Sequence, residues 1–296
     1  MQRLKSAGRL ALMLPNTLHT RLAVPGFVIN SLPKAGTHLL GKAMSLFPGV
    51  RYAGVQFDYS NLAQILAGAN PSADTIPVGV DAPQPVPLNA IQRGMDQVGR
   101  GEFTVWHVPF SDGMAHEIAA RNMRSLLMLR DPRDVVVSHA RFVATLPDHF
   151  LYARYQGLSE SEQIMLSIRG LAADDHDPVS QPGLLDIGAR CRSIWEWHNQ
   201  PFNLTTSFEK LIGPQGGGSR EDQIAELARI ADHVGLRHSP ALLAQIADAV
   251  FGGTKTFRKG TTGAWAAAFT ADHTRVFKDV AGDVLIAMGY EQDHDW

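Results

Sequence analysis

The chain has 296 residues, 45% of them hydrophobic and 19% charged, which suits a large buried core and excludes a disordered chain. With 27 basic against 29 acidic residues, the formal net charge of −2 argues against nucleic acid as the main partner. Cys191 is the single cysteine, so an internal disulfide and a cysteine-rich metal site are both excluded.

The chain opens MQRLKSAGRLALMLPNTLHTR, mildly basic, with a short apolar stretch from Leu10 to Leu14. It lacks a signal-peptide core and a small-residue cleavage site, and no apolar run reaches the ~18–20 residues of a transmembrane helix. Residues 1–24 are therefore expected to be an extension able to form a helix, ahead of one domain over 25–296. A cytoplasmic location is the default expectation, with peripheral membrane contact through the amphipathic opening as the alternative.

Strand-like and helical runs then alternate. The pattern predicts a strand at 25–31 and a helix at 37–47. Residues 48–88, rich in Gly, Pro, Ala and Asp, read as a long excursion from the sheet with a short helical signal near 59–66. Next come a helix at 88–98, a strand at 103–106, a helix at 115–121, a strand at 125–129, and a helix from Pro132 to Val143 with proline in its first turn. Residues 147–180 are polar and interrupted. A helix from Ile187 to Trp197 and a strand at 203–207 follow. After the break at Gly216-Gly217-Gly218 come helices at 221–234, 239–250 and 272–288. This alternation implies an α/β fold, a mainly parallel sheet covered on both faces, with ligands beyond the carboxyl ends of its strands.

FVINSLPKAGTHLL, residues 27–40, is the most informative segment. A buried strand gives way to a turn with one lysine and then to a helix. A helix N-terminus offers free N–H groups, Lys34 adds a positive charge and Thr37 a hydroxyl, so the loop suits a phosphate or sulfate. The alternative is a lysine on an ordinary exposed turn. The ATP-binding pattern G-x-x-x-x-G-K-[ST] does not fit, because lysine here precedes the glycine and no upstream glycine opens the loop. Arg130, at the end of the strand Ser125–Leu129, would sit on the same sheet edge as Lys34. Its planar fork suits two oxygens of one phosphate, or else it pairs with Asp131 or Asp134. Arg133 reads as a surface helix residue. Arg258-Lys259-Gly260 forms a third basic turn, or a solvated loop.

Together these segments resemble the PAPS-dependent sulfotransferases of the cytosolic type, whose fold is related to the nucleotide kinases. That family's first loop reads P-K-[ST]-G-[ST]-[TH], and Pro33-Lys34-Ala35-Gly36-Thr37-His38 is similar. The resemblance implies a three-layer α/β/α fold and 3′-phosphoadenylyl sulfate (PAPS) as sulfuryl donor. Lys34, Ala35, Gly36, Thr37 and His38 would hold its phosphosulfate. Arg130-Asp131-Pro132-Arg133-Asp134 with Val137-Ser138 is similar to the second motif and implies that Arg130 and Ser138 hold the 3′-phosphate. The Arg258, Lys259 and Gly260 turn would cap that phosphate, and Phe208 would stand on the adenine side, where the family usually has tyrosine. Ala35 departs from the family's Ser or Thr, which implies weaker binding or a compensating donor such as His38.

His107 ends the strand-like run Phe103–Trp106, in His107-Val108-Pro109. The resemblance implies that it is the general base toward an acceptor hydroxyl, and imidazole chemistry near neutrality suits that role. The residue alone also reads as a structural strand-end histidine. His38, His116 and His139 read as non-catalytic. Lys34 would neutralise the leaving oxygen, so Lys34 and His107 are the expected catalytic pair, with no metal. The acceptor would be a small-molecule, lipid or carbohydrate hydroxyl, and Phe57, Tyr59, Phe110, Phe142, Phe150, Tyr152 and Tyr155 are its candidate lining. A P-loop kinase-like phosphotransferase and a non-catalytic 3′,5′-bisphosphonucleotide-binding protein are the rival readings.

Overall fold

The computed structural model describes residues 24–70, 73–176, 182–252 and 260–296. The expected extension over 1–24 lies outside the described residues except for Val24, as do Arg258 and Lys259. The strands are β1 (Phe27–Ser31), β2 (Arg51–Phe57), β3 (Thr75–Val78), β4 (Gln84–Pro87), β5 (Glu102–Trp106), β6 (Arg124–Leu129) and β7 (Asn203–Ser207). The helices that build the core and frame the site are α1 (Thr37–Ser45), α2 (Leu88–Met95), α3 (Asp112–Ala120), α4 (Pro132–Thr145), α5 (Glu160–Arg169) and α6 (Ile187–Trp195). They continue with α7 (Phe208–Leu211), α8 (Arg220–Val234), α9 (Pro240–Ala249) and α10 (Ala271–Ala287).

Five strands form one sheet in the order β2-β5-β1-β6-β7, and every neighbouring pair is parallel. The pleat sends alternate side chains to opposite faces. Val28, Leu127 and Leu129 therefore join one apolar cluster with residues of α2, α3, α4, α5, α6 and α10. Phe27, Ile29, Leu126 and Met128 join the other, with α1, α7, α8 and α9. The architecture is the expected three-layer α/β/α arrangement around a mainly parallel sheet. Both faces are covered, which is why β1 and β6 read as nearly continuous apolar runs. After β1 the chain runs to β2 and returns through β5, then crosses to β6 and β7 on the other side. The loops leaving β1, β5 and β6 thus diverge, and the crevice between them is where the site lies.

Four elements were illegible in the sequence. β2 is an exposed edge strand, carries Gly54 at φ 82° and shifts register between Tyr52 and Gln56, so it shows no alternating apolar pattern. β3 and β4 pair as an antiparallel hairpin although each contains proline. Helix α5 lies inside the interrupted stretch and starts with a capping box, in which the Ser159 and Glu162 side chains accept each other's backbone N–H.

The placement of β2 in the sheet corrects the expected excursion over 48–88, and the expectation for Arg133 is overturned as well. Arg133 is buried, not exposed: it donates to both carboxylate oxygens of Asp131 and pairs with Glu291. Its guanidinium stacks between Trp265 at 3.9 Å and Trp296 at 4.5 Å. Two carboxylates and two aromatic faces replace the water that a buried guanidinium loses. Among the described residues, no helix is long and apolar enough to cross a membrane.

Candidate active site

The loop between β1 and α1 is built around two left-handed residues, Lys34 at φ 72° and Gly36 at φ 108°. Positive φ is costly for lysine, and such strain collects at ligand-binding turns. Glycine is required at 36, because an added Cβ would lie 2.8 Å from both Met128 Cε and Phe208 Cδ2. Gly36 also stands at the N-cap of α1, where no side chain caps the helix and no acidic residue occupies the first turn. The positive end of the helix therefore faces the crevice. Lys34 Nζ lies over the Phe142 ring, 3.9 Å from its centroid.

Ala35 differs from its loop neighbours. Its methyl is buried in the apolar cluster and its N–H donates to the Leu32 carbonyl at 3.1 Å. Neither group is available to an anion, so the hydroxyl that the family carries there has no simple substitute at this residue. His38 lines the cavity. Burial, helped by the charges of His107 and Lys34, holds its imidazole below the ordinary value.

Arg130 bridges two loops. It donates to the Lys34 carbonyl at 3.2 Å and to the Thr261 carbonyl at 3.0 Å, stacks on Phe208 at 4.4 Å, and has Asp134 Oδ2 at 3.7 Å. Its buried Nε has no hydrogen-bond partner, and burial pushes the guanidinium below its ordinary pKa against the pull of Asp134 and Glu209. An anion beside it would relieve both costs. Asp134 in turn accepts the N–H groups of Gly263 and Trp265, which ties the late loop to α4. Gly260, Thr261, Ser138 and Phe208 all line the same cavity.

His107 leaves the end of β5 on the other side of β1. Its Nδ1 lies 2.7 Å from the Ser31 carbonyl, which can only accept, so Nδ1 carries a proton and the neutral form of the ring has its lone pair on Nε2. Its backbone N–H donates to Phe57 and its carbonyl accepts from Gly79. The Asn30 amide holds the next residue, since Nδ2 donates to the Val108 carbonyl at 2.9 Å and Oδ1 accepts the Val108 N–H at 3.1 Å.

One cavity of about 560 Å³ joins these groups: Lys34, Gly36, Thr37, His38, His107, Arg130, Ser138, Phe208 and Gly260 all line it. Ala35 does not. Beyond His107 its wall is aromatic. Tyr59, Phe142 and Phe150 line it, whereas Phe57 packs on Trp106, Phe110 on Trp197, and Tyr155 is buried with its hydroxyl on Ser167.

Several polar residues of this wall were not foreseen, His149, Asp81 and Asp58 among them. His149 stacks on Phe150, and its Nδ1 accepts the Leu151 N–H, which fixes a neutral ring with the proton on Nε2. Burial, helped by the charge of His139, lowers its pKa to about 4. Asp81 is buried. Despite the cost of burial, His139 at 3.6 Å and Arg190, donating at 3.0 Å, hold its carboxyl well below the usual range. Asp58 caps the short turn at Tyr59–Asn61 and accepts from Gln56 and Ser60. Asp58 was findable, because Asp just ahead of a helical signal at 59–66 is an N-cap pattern. No local pattern marks His149 or Asp81.

No family model matches this sequence, and no curated protein does. Solved structures do match. The crystal structure of mouse sulfotransferase SULT7A1 complexed with PAP is 14% identical, covers 93% of this chain and 90% of its own, and superposes with a TM-score of 0.57. Retinol dehydratase with androsterone and the inactive cofactor PAP is 15% identical over 88% of this chain and 80% of its own, TM-score 0.52. Retinol dehydratase with retinol and PAP is 15% identical over 91% and 84%, TM-score 0.51. The fold is that of the cytosolic sulfotransferases. At these identities the likeness carries the fold alone.

Proposed function

We propose that this chain, as one domain from residue 25, transfers a sulfuryl group from PAPS to an acceptor hydroxyl, with His107 as general base. The observation that carries this reading is the joint presence, in one cavity, of an uncapped helix N-terminus, the Arg130 fork with its unpartnered Nε, and a histidine anchored through Nδ1, whose neutral form has its lone pair on Nε2. The likeness to PAP-bound sulfotransferase structures supports it.

When bound, PAPS supplies the sulfuryl group and leaves as adenosine 3′,5′-bisphosphate. Lys34, Gly36, Thr37 and His38 would face its phosphosulfate, and Arg130 and Ser138 its 3′-phosphate, with Phe208 beside the base. Lys34 would leave the Phe142 ring and neutralise charge on the leaving oxygen. His107 would take the acceptor's proton at Nε2, with the Ser31 carbonyl steadying the imidazolium at Nδ1, an aid worth roughly 10²–10⁴ in rate. Tyr59, Phe142 and Phe150 would cover the acceptor, a small molecule, lipid or carbohydrate, and exclude water from the transfer.

The test is calorimetry and turnover of the full chain in EDTA, with adenosine 3′,5′-bisphosphate as ligand and PAPS plus a panel of alcohols and phenols as substrates. Bisphosphate binding, with ATP binding more weakly, and release of bisphosphate only when an acceptor is present support the proposal. ATP binding as tight, or a strict Mg²⁺ requirement, overturns it.

A further inference from the structure

The side chain of Ser31, the last residue of β1, has no role in the scheme above, yet it touches both halves of the site. Ser31 is fully buried between β5 and β6. Its Oγ hydrogen-bonds Thr37 Oγ1 in the first turn of α1, and His107 Nδ1 lies 3.4 Å from the same Oγ and 2.7 Å from the Ser31 carbonyl.

The Nδ1 proton is taken by the Ser31 carbonyl, which leaves the Ser31 hydroxyl to pair with Thr37 Oγ1. Either oxygen of that pair can donate, and with Ser31 as the donor the Thr37 proton is free to turn to a ligand. Thr37 lines the cavity at the uncapped end of α1. The Ser31–Thr37 pair thus holds a hydroxyl at the place where an anion would sit. We infer that Ser31 is a positioning residue of the anion loop, its buried hydroxyl donating to Thr37 Oγ1 and so freeing the Thr37 proton for the ligand. This rests on the reading of the loop as a phosphosulfate site and adds a residue to it.

A double-mutant cycle in calorimetry with adenosine 3′,5′-bisphosphate tests it, using Ser31→Ala, Thr37→Val and the pair. Ser31→Ala removes one buried hydroxyl, and a melting curve verifies folding of each variant. One oriented neutral hydrogen bond is worth about fivefold in Kd. We expect Ser31→Ala to weaken binding by about that factor in the parent chain and to have almost no effect once Thr37 is valine. In the parent chain the loss should also extend to inorganic pyrophosphate, which has no adenosine. Multiplying losses, or unchanged affinity in Ser31→Ala, overturn the inference and leave the sulfotransferase reading standing. A parent chain that binds neither probe overturns both.

Discussion

Arg130→Ala separates a ligand contact from a scaffold contact. In the structure the guanidinium already donates to two backbone carbonyls, Lys34 and Thr261, and has Asp134 at 3.7 Å, so its removal loosens the protein whether or not a ligand is present. Two charge-assisted hydrogen bonds at about 1.5 kcal/mol each, with the buried Asp134 losing its counter-charge, set the cost at roughly 3–5 kcal/mol of folding free energy. The ligand contact is a separate quantity. A charge-assisted bond to a phosphate is worth about 1.5–3 kcal/mol, or roughly a 10- to 150-fold rise in Kd. The 3′-phosphate distinguishes the two. Calorimetry with adenosine 3′,5′-bisphosphate should show the full loss, while adenosine 5′-phosphate, which lacks that group, should bind the variant and the parent within about threefold. Equal losses for both nucleotides would refute the direct contact and leave Arg130 as a clasp between loops.

Lys34→Ala should lower kcat more than it raises KM, because charge on the leaving oxygen grows toward the transition state; a pure KM effect in steady-state kinetics counts against the leaving-group role. His107→Ala should keep bisphosphate affinity and lose roughly 10²–10⁴ in transfer to aliphatic alcohols, less for acidic phenols; a folded variant within threefold of parent turnover would exclude the base. Gly36→Ala meets Met128 and Phe208 at 2.8 Å and needs a left-handed backbone, so urea titration should show a loss of about 2 kcal/mol or more together with weaker anion binding. His149 has a folded pKa of about 4 against an ordinary 6.5, so the unfolded chain binds the extra proton first and folding stability falls as pH drops from 6.5 to 4. His149→Phe should flatten that part of the stability curve in urea titrations at pH 7, 6, 5 and 4, and an unchanged slope would show that His149 is not what titrates there.

The central strands and their helices were legible because a fully covered parallel sheet demands long apolar strands and helices with sharp caps. Ile29, Leu127 and the proline at the first turn of α4 each carry such a signal. The anion loop was legible because glycine, lysine and threonine are needed locally, within a few residues of one another. The rest depends on distant partners. Arg133 looks like any helix-surface arginine until Trp265, Glu291 and Trp296 arrive from the far end of the chain. Asp81 needs Arg190 and His139, and the tautomer of His107 needs the Ser31 carbonyl, none of which adjoins it in sequence.

The position of β1 has a consequence for how the protein comes to exist. It aligns Phe27 with Phe103 on one side and with Arg124 on the other, so the strand that carries the anion loop waits for segments on the order of a hundred residues downstream. A nascent chain stalled on the ribosome before β6 has emerged holds every residue of the loop and none of its geometry. Ligand cannot nucleate folding from the amino-terminal end, and protection by adenosine 3′,5′-bisphosphate in a translation time course should begin only after Leu129 has cleared the exit tunnel.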